Sequence, residues 1–130
     1  MTARYLDTSA LVKLVVEEEG SSALRSHLAG DDPLVSSALA RTELLRALLR
    51  SGDAAVAQGR TILGAIDLVR IGDEVLDAAA TLAPVGLRSL DAIHLATALR
   101  LGSDLGELIT YDQRMLDAAI SSGIPVKAPT

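Results

Sequence analysis

The chain alternates short apolar runs with longer amphipathic runs along its whole length, and this alternation limits the fold more than any other feature. The short runs have the character of β-strands and occupy 3–6, 33–37, 67–71, 107–111 and 124–127. The longer runs have a helical period and occupy 9–18, 21–29, 38–51, 53–66, 73–83, 90–101 and 113–122. Helices between strands predict a parallel sheet that is covered on both faces and joined by right-handed crossovers. We therefore predict an α/β fold, built as one domain over residues 1–130.

The composition excludes several functional classes. The chain has no cysteine, which excludes disulfides, thiolate zinc sites and a cysteine nucleophile. It has no Phe or Trp and only two Tyr, which argues against a module that stacks single-stranded bases on aromatic side chains. Its net charge of −5 argues against binding nucleic acid by bulk electrostatics. We see no signal peptide and no run long enough to cross a membrane, so we expect a cytoplasmic protein with no membrane partner.

Two acidic residues follow predicted strands at the point where each strand ends. Asp7 directly follows the first strand, and Asp112 directly follows the fourth. The carboxyl ends of parallel strands share one edge of the sheet, where ligands of such sheets gather. Each aspartate also stands where a helix begins, so each has a simpler interpretation as an N-cap. Thr8 and Ser9 are equally suited to cap the first helix, which leaves Asp7 free for another role.

A third acid, Asp91, lies in the helical segment LRSLDAIHLATALRLG. On a helical wheel it falls on the apolar face with Leu95 rather than toward water. A buried carboxylate is costly unless it is paired, hydrogen-bonded or bound to metal. The alternative is a first-turn acid that the helix dipole favours after a Ser89 cap. His94 lies about 60° from Asp91 on the wheel, and we interpret it as a packed, hydrogen-bonded core residue rather than a ligand.

The fourth acid, Glu43, has the weakest support from helical geometry. In the predicted helix 38–51 it projects toward Arg46 and Arg50, away from an arc of leucines. A surface ion pair with Arg46, three residues along the helix, explains Glu43 adequately. From the residues alone, function at Glu43 is therefore the minority interpretation.

Four segments together resemble the PIN-domain ribonucleases, in particular the VapC toxins of bacterial toxin–antitoxin pairs. LDTSALVKL (6–14) resembles the N-terminal metal-binding motif of that family, and ARTELLRAL (40–48) resembles its internal-glutamate motif. LDAIHLATAL (90–99) resembles the central-aspartate motif, and ITYDQRML (109–116) resembles the fourth motif. Their order, spacing and flanking residues agree along essentially the whole chain, which makes the four together a far stronger signal than any one.

This resemblance implies a three-layer α/β/α sandwich with a central parallel sheet and an acidic pocket that binds Mg²⁺ or Mn²⁺. The pocket would be made of four acids: Asp7, Glu43, Asp91 and Asp112. Ser9 and Thr110 match the small polar residues that line the family's pocket, where they orient carboxylates or water. Gln113 and Arg114 stand where some members carry a further acid, and this departure leaves the number of metal ions open.

The resemblance also implies an activity and its partners. The chain would be an endoribonuclease that hydrolyses RNA phosphodiesters and so inhibits translation, as the toxin of a type II pair. Hard divalent cations prefer oxygen ligands, acidify water and stabilise charge on phosphoryl oxygens, which explains a site made of carboxylates. The expected partners are RNA, a VapB-like antitoxin that blocks the pocket, and a second copy of the chain. The broad leucine arc of the helix 38–51 also favours a homodimer.

Other functional classes need different residues. A phosphoacceptor receiver domain requires an acidic pair after the first strand and an aspartate at the end of the third, whereas Asp7 stands alone and the third strand ends in Ile71 and Gly72. A dehalogenase-type phosphatase requires a second aspartate two residues after Asp7, where Ser9 stands. A PIN-like binding domain without turnover stays open, because all four acids are present and only an assay separates it from a nuclease.

Overall fold

A computed structural model describes residues 2–130, in which five strands alternate with seven helices, so the predicted α/β class is confirmed. The strands are β1 (Ala3–Leu6), β2 (Leu34–Ser37), β3 (Asp67–Val69), β4 (Leu105–Ile109) and β5 (Val126–Lys127). The helices are α1 (Thr8–Lys13), α2 (Ser21–His27), α3 (Ala40–Leu48), α4 (Asp53–Ala65), α5 (Asp73–Ala80), α6 (Ser89–Arg100) and α7 (Gln113–Ser121).

The strands form one parallel sheet in the order β3-β2-β1-β4-β5. The first strand lies at the centre, where Tyr5 is opposite Val35 of β2 and Leu108 of β4. Because all strands point the same way, their carboxyl ends lie along one edge of the sheet. The segments that leave β1, β2 and β4 therefore start side by side.

Neighbouring residues of β1 contribute to two separate hydrophobic cores. Tyr5 is fully buried with Leu95 of α6, whereas Leu6 is fully buried with Leu11 of α1 and Leu44 of α3. Successive side chains of a strand point to opposite faces of its sheet, so the two cores lie on opposite sides. Helices cover both faces of the sheet, which confirms the three-layer α/β/α sandwich.

The first helix is shorter than its sequence pattern predicts. The prediction extends to residue 18, but α1 ends at Lys13 and the chain turns through Leu14. Val15 and Val16 are β-branched, which lowers their helix propensity. The three glutamates that follow would repel the negative end of a longer helix. The other predicted helices and strands agree with the structure to within three residues at either end.

The fourth strand lies two residues earlier than predicted, and this corrects the position of Asp112. The prediction ended the strand at Tyr111, but β4 ends at Ile109, opposite Leu6 at the end of β1. The Thr110 N–H still bonds to the Lys127 carbonyl of β5, but the Tyr111 N–H bonds to the Ser9 hydroxyl instead of a neighbouring strand. Thr110, rather than Asp112, is thus the residue that directly follows the strand.

Every helix within residues 2–130 is too short or too polar to cross a membrane.

Candidate active site

Asp7 joins the central strand to the first helix and is both a cap and a buried acid. Its Oδ1 accepts a hydrogen bond from the Ala10 N–H at 3.1 Å, so it caps α1. It also accepts from the Ser9 hydroxyl at 2.6 Å and, on Oδ2, from the Thr110 hydroxyl at 2.5 Å. The residue is only 4% exposed and no cation pairs with it in residues 2–130. Burial raises the pKa of the Asp7 carboxyl above its ordinary value, although the hydrogen bonds from Ser9 and Thr110 oppose this.

Asp91 lies in the first turn of α6 and has no partner of its own. The helix begins at Ser89, but no side chain caps it, so the predicted Ser89 cap is wrong. The Asp91 carboxylate is partly buried and makes no hydrogen bond or ion pair with residues 2–130. Burial, and then the nearby charges of Asp112 and Asp7, raise the pKa of Asp91. Asp112 and Asp7 therefore lie close enough to Asp91 to repel its charge.

Asp112 caps α7 with one oxygen and leaves the other free. Its Oδ1 accepts from the backbone N–H of Arg114 at 2.9 Å and of Met115 at 3.4 Å. No donor from residues 2–130 contacts Oδ2. The capping interpretation of Asp112 is thus correct, and it still allows a second role because only one carboxylate oxygen is used.

Glu43 does not form the predicted surface pair with Arg46. Its Oε1 instead lies 2.6 Å from His94 Nε2 and accepts from the Thr8 hydroxyl at 2.6 Å. Burial would raise the pKa of Glu43, but the hydrogen bonds from His94 and Thr8 lower it below its ordinary value. The helical wheel failed here because a glutamate side chain is long enough to bend toward partners on neighbouring elements.

Ser9 and Thr110 form a hydrogen-bonded bracket around Asp7. Ser9 donates to Oδ1 and accepts from the Tyr111 N–H at 2.9 Å, and Thr110 donates to Oδ2 and accepts from the Asp112 N–H at 3.1 Å. The two hydroxyl oxygens lie 3.4 Å apart. The bracket therefore ties the segment after β1 to the segment after β4. Contact with the Asp7 carboxylate is present, and a role in catalysis stays a prediction.

Thr8 was not predicted as a site residue, and His94 was predicted only as a packed core residue. Thr8 appeared only as a surplus cap, yet its hydroxyl binds Glu43. The interpretation of His94 as a packed, hydrogen-bonded residue is correct, because the side chain is 2% exposed and both ring nitrogens have partners. The available signal was the DTS run itself, in which three capping residues stand where one suffices.

The donor set fits a hard divalent cation. The carboxylate cluster, defined as Asp7, Glu43, Asp91 and Asp112, offers oxygen ligands only, and the unpartnered Asp91 among like charges needs a positive counterpart. Within residues 2–130, no three Asp, Glu or His side chains converge tightly enough to hold an ion by themselves. Mg²⁺ is typically held by one or two carboxylates and several waters, so an open cluster of this kind suits it.

A cavity elsewhere in the molecule does not compete as the reactive site. It has a volume of about 420 Å³ and lies between α5 and α6, lined by residues such as Leu76, Val85 and Ile93. No acid or histidine lines it. The chemistry of this chain is therefore expected at the carboxylate cluster, at the carboxyl edge of the sheet.

Comparison with known proteins decides the family. The PIN domain family model matches residues 4–121. The chain belongs to the PIN-domain family. Within this family, the PIN domain is 57% identical to the ribonuclease VapC46 of Mycobacterium tuberculosis over 130 residues, which is 100% of both chains. It is 37% identical to the ribonuclease VapC47 of the same species, over 96% of each chain. The resemblance to VapC ribonucleases is thereby confirmed.

Solved structures share the fold of this PIN domain. A crystal structure of VapC20 from Mycobacterium tuberculosis, a Sarcin-Ricin loop cleaving toxin, has a TM-score of 0.78 at 15% identity and covers 98% of this chain and 99% of that one. A toxin-antitoxin complex from Klebsiella pneumoniae has a TM-score of 0.71 at 21% identity, with 98% of both chains covered. These likenesses confirm the PIN-like sandwich.

Proposed function

We propose that this chain is a Mg²⁺- or Mn²⁺-dependent endoribonuclease that hydrolyses RNA phosphodiesters at the carboxylate cluster. The observation that carries the proposal is Asp91, a partly buried carboxylate with no partner beside two other aspartates. A fold tolerates such a group at a cost, which a bound cation would remove. The high identity to a protein named ribonuclease VapC46 over the whole chain supports the same conclusion.

Asp7 and Asp91 would hold the principal ion, with Asp112 completing the site through its free Oδ2. When bound, such an ion lowers the pKa of water and neutralises charge on the phosphoryl oxygens. Asp7 is kept in place by the Ser9 and Thr110 hydroxyls, so its carboxylate cannot rotate to suit each ligand. This rigidity favours a fixed geometry around the phosphate.

Glu43 is suited to orient the attacking water and to accept its proton. Both of its protein partners, His94 and Thr8, contact Oε1, and no donor from residues 2–130 contacts Oε2. The lowered pKa keeps the carboxylate ionised at neutral pH. An ionised carboxylate with one oxygen anchored and the other free can accept a hydrogen bond from water in a defined direction.

The proposed biological role is that of a type II toxin that inhibits translation by cutting RNA in the cytoplasm. Its partner would be a VapB-like antitoxin, in line with the toxin-antitoxin complex that shares the fold. We propose that the chain folds as a single PIN domain. We also propose a homodimer: Leu44 and Leu48 of the predicted leucine arc are buried in the core, but Leu49 stays 60% exposed at the end of α3 and could contact a second copy. Light scattering that gives the mass of a monomer at tens of micromolar protein would contradict the dimer.

The decisive experiment incubates the purified protein with cellular RNA in Mg²⁺, in Mn²⁺ and in excess EDTA, and maps the cut ends. We expect cleavage only with metal. The Asp7→Asn and Asp91→Asn variants should lose it, while Asp77→Asn, an exposed acid on α5, should cut like the wild type. Cleavage that persists in EDTA contradicts metal dependence. A wild type that binds RNA without cutting it would favour the non-catalytic PIN-like alternative.

A further inference from the structure

His94 is buried between two polar partners that belong to different elements. It lies on α6, three residues after Asp91, and is 2% exposed. Its Nδ1 lies 2.7 Å from the hydroxyl of Tyr5 on β1, and its Nε2 lies 2.6 Å from Oε1 of Glu43 on α3. The ring therefore connects the central strand to a member of the carboxylate cluster.

The direction of the hydrogen bond to Glu43 follows from the chemistry of the carboxylate. An ionised carboxylate can only accept, so the hydrogen between it and the ring belongs to Nε2. The Thr8 hydroxyl donates to the same oxygen, Oε1. Two donors on one oxygen restrict rotation of the carboxylate about its last bond. Oε2 is left without a donor from residues 2–130.

The Tyr5 hydroxyl is suited to anchor the other side of the ring. Tyr5 is fully buried, and burial, together with the charge of Asp7, raises the pKa of its hydroxyl, which therefore keeps its proton. The hydroxyl lies 2.7 Å from Nδ1 of His94, within hydrogen-bond distance. The Tyr5 proton is thus available for Nδ1, and a proton on Nε2 with none on Nδ1 satisfies all three groups.

We propose that His94 is a positioning residue of the nuclease site: anchored at Nδ1 by Tyr5, it directs the Glu43 carboxylate through Nε2 so that Oε2 is presented to the metal and water. This inference rests on the proposed function. Without His94, Glu43 would lie on a helix that also carries the exposed Arg46 three residues away, and the two would attract each other. His94, together with Thr8, therefore holds this carboxylate away from Arg46.

The first test measures the protonated nitrogen directly. The chain has two histidines, so long-range ¹H–¹⁵N NMR of the wild type and of His27→Gln assigns the His94 ring without ambiguity. At pH 8 we expect a proton on Nε2, and a shifted Nδ1 resonance in Tyr5→Phe, which removes the hydrogen bond at that nitrogen. The absence of a proton on Nε2 overturns the proposal, because that nitrogen could then not donate to Glu43. This measurement needs neither metal nor RNA.

The second test compares two amides at the same position. His94→Gln places its amide nitrogen where Nε2 lies and can still donate to Glu43, whereas His94→Asn reaches only the position of Nδ1. Outer-shell partners of metal ligands are typically worth about 10- to 100-fold in affinity or activity. We expect Mn²⁺ affinity, measured by electron paramagnetic resonance, and kcat to fall by about that factor in His94→Asn, with KM for RNA little changed. His94→Gln should retain most of both.

Equal losses in His94→Gln and His94→Asn, or no loss in either, would overturn the positioning role. Circular dichroism checks that both variants fold, and if one does not, the NMR measurement on the wild type decides alone. Failure of the proposed function is distinguishable from failure of this inference. In that case the wild type neither binds Mn²⁺ nor cuts RNA, whatever the proton position on His94.

Discussion

The Thr110 hydroxyl donates to Oδ2 of Asp7 over 2.5 Å, which joins the segments that leave two neighbouring strands, β1 and β4. Both residues are buried, so this bond is shielded from competition by water. It is one of three hydrogen bonds that keep Asp7 ionisable inside the protein, together with those from Ser9 and the Ala10 N–H. The position of the Asp7 carboxylate in the cluster therefore depends on the hydroxyls of Ser9 and Thr110.

Replacing Thr110 with valine should destabilise the protein. Thr110→Val keeps the shape of the side chain but removes a donor from a buried carboxylate, which should cost about 1–3 kcal/mol of unfolding free energy. Urea unfolding measures the loss. The matched control is Thr61→Val, because Thr61 is exposed and its hydroxyl bonds only to a carbonyl of its own helix. Equal effects of the two substitutions would contradict the importance of the bond to Asp7.

The Asp7→Asn variant should respond to metal less than the wild type does. Asparagine is nearly as good an N-cap as aspartate. Its amide nitrogen cannot accept from Thr110 as Oδ2 does, but it also carries no buried charge, so the metal-free variant should be about as stable as the wild type at neutral pH. Mg²⁺ at ten times its dissociation constant should stabilise the wild type by about 1.4 kcal/mol through mass action, a few degrees in melting temperature. Thermal melts in EDTA and in millimolar Mg²⁺ measure both effects. An identical metal response in the two proteins would mean that Asp7 does not bind the metal.

In EDTA, the stability of Asp7→Asn relative to the wild type should increase as pH rises. The folded-state pKa of Asp7 lies above its ordinary value of 3.8, chiefly through burial, so the folded wild type binds this proton more tightly than the unfolded chain does. The wild type therefore loses stability as pH rises from below 3.8 through the raised folded-state pKa, and asparagine has no such proton to lose. Urea unfolding of both proteins across this window tests the sign. A gap that does not change with pH contradicts a raised pKa.

Substitutions of Asp112 separate its role as the N-cap of α7 from a role in RNA cleavage. Asp112→Asn should keep the cap on α7 and the stability, whereas Asp112→Ala should lose about 1 kcal/mol. Both should lose RNA cleavage if the free Oδ2 completes the metal site. Unfolding free energies and initial rates, measured on the same preparations, make the comparison. Cleavage at the wild-type rate by Asp112→Asn would mean that this residue only caps its helix.

Two glycines of α4 should respond to alanine in opposite directions. A Cβ on Gly59 would lie 2.6 Å from Leu48 Cδ1 and 3.1 Å from Leu45 Cδ2, so Gly59→Ala should cost about 1–3 kcal/mol by overpacking the contact with α3. Gly64 has nothing within 4 Å of that position. Gly64→Ala should therefore gain up to about 1 kcal/mol from helix propensity. Stabilisation by both substitutions would show that α3 and α4 are not closely packed.

Local periodicity determined the fold class, because strand and helix patterns are properties of consecutive residues. The alternation predicted the parallel sheet, and the residues that follow β1 predicted Asp7 as an acid at its carboxyl edge. The end of β4 was misplaced by two residues because ELITY reads as one apolar run. The Tyr111 N–H bonds instead to the Ser9 hydroxyl, which lies 102 residues away in sequence, so the pattern of consecutive residues does not reveal this bond.

Glu43 shows what only the tertiary structure decided. Its helix places it beside Arg46, and sequence reasoning alone favoured that surface pair. The structure instead supplies Thr8, 35 residues away, and His94, 51 residues away, as donors to one carboxylate oxygen. A hydrogen bond in a partly buried site is stronger than an exposed ion pair in water, so the distant partners prevail over the near one. The sequence therefore determined which acids are present and near which strand ends, and the packing of helices on both faces of the sheet decided where their oxygens lie.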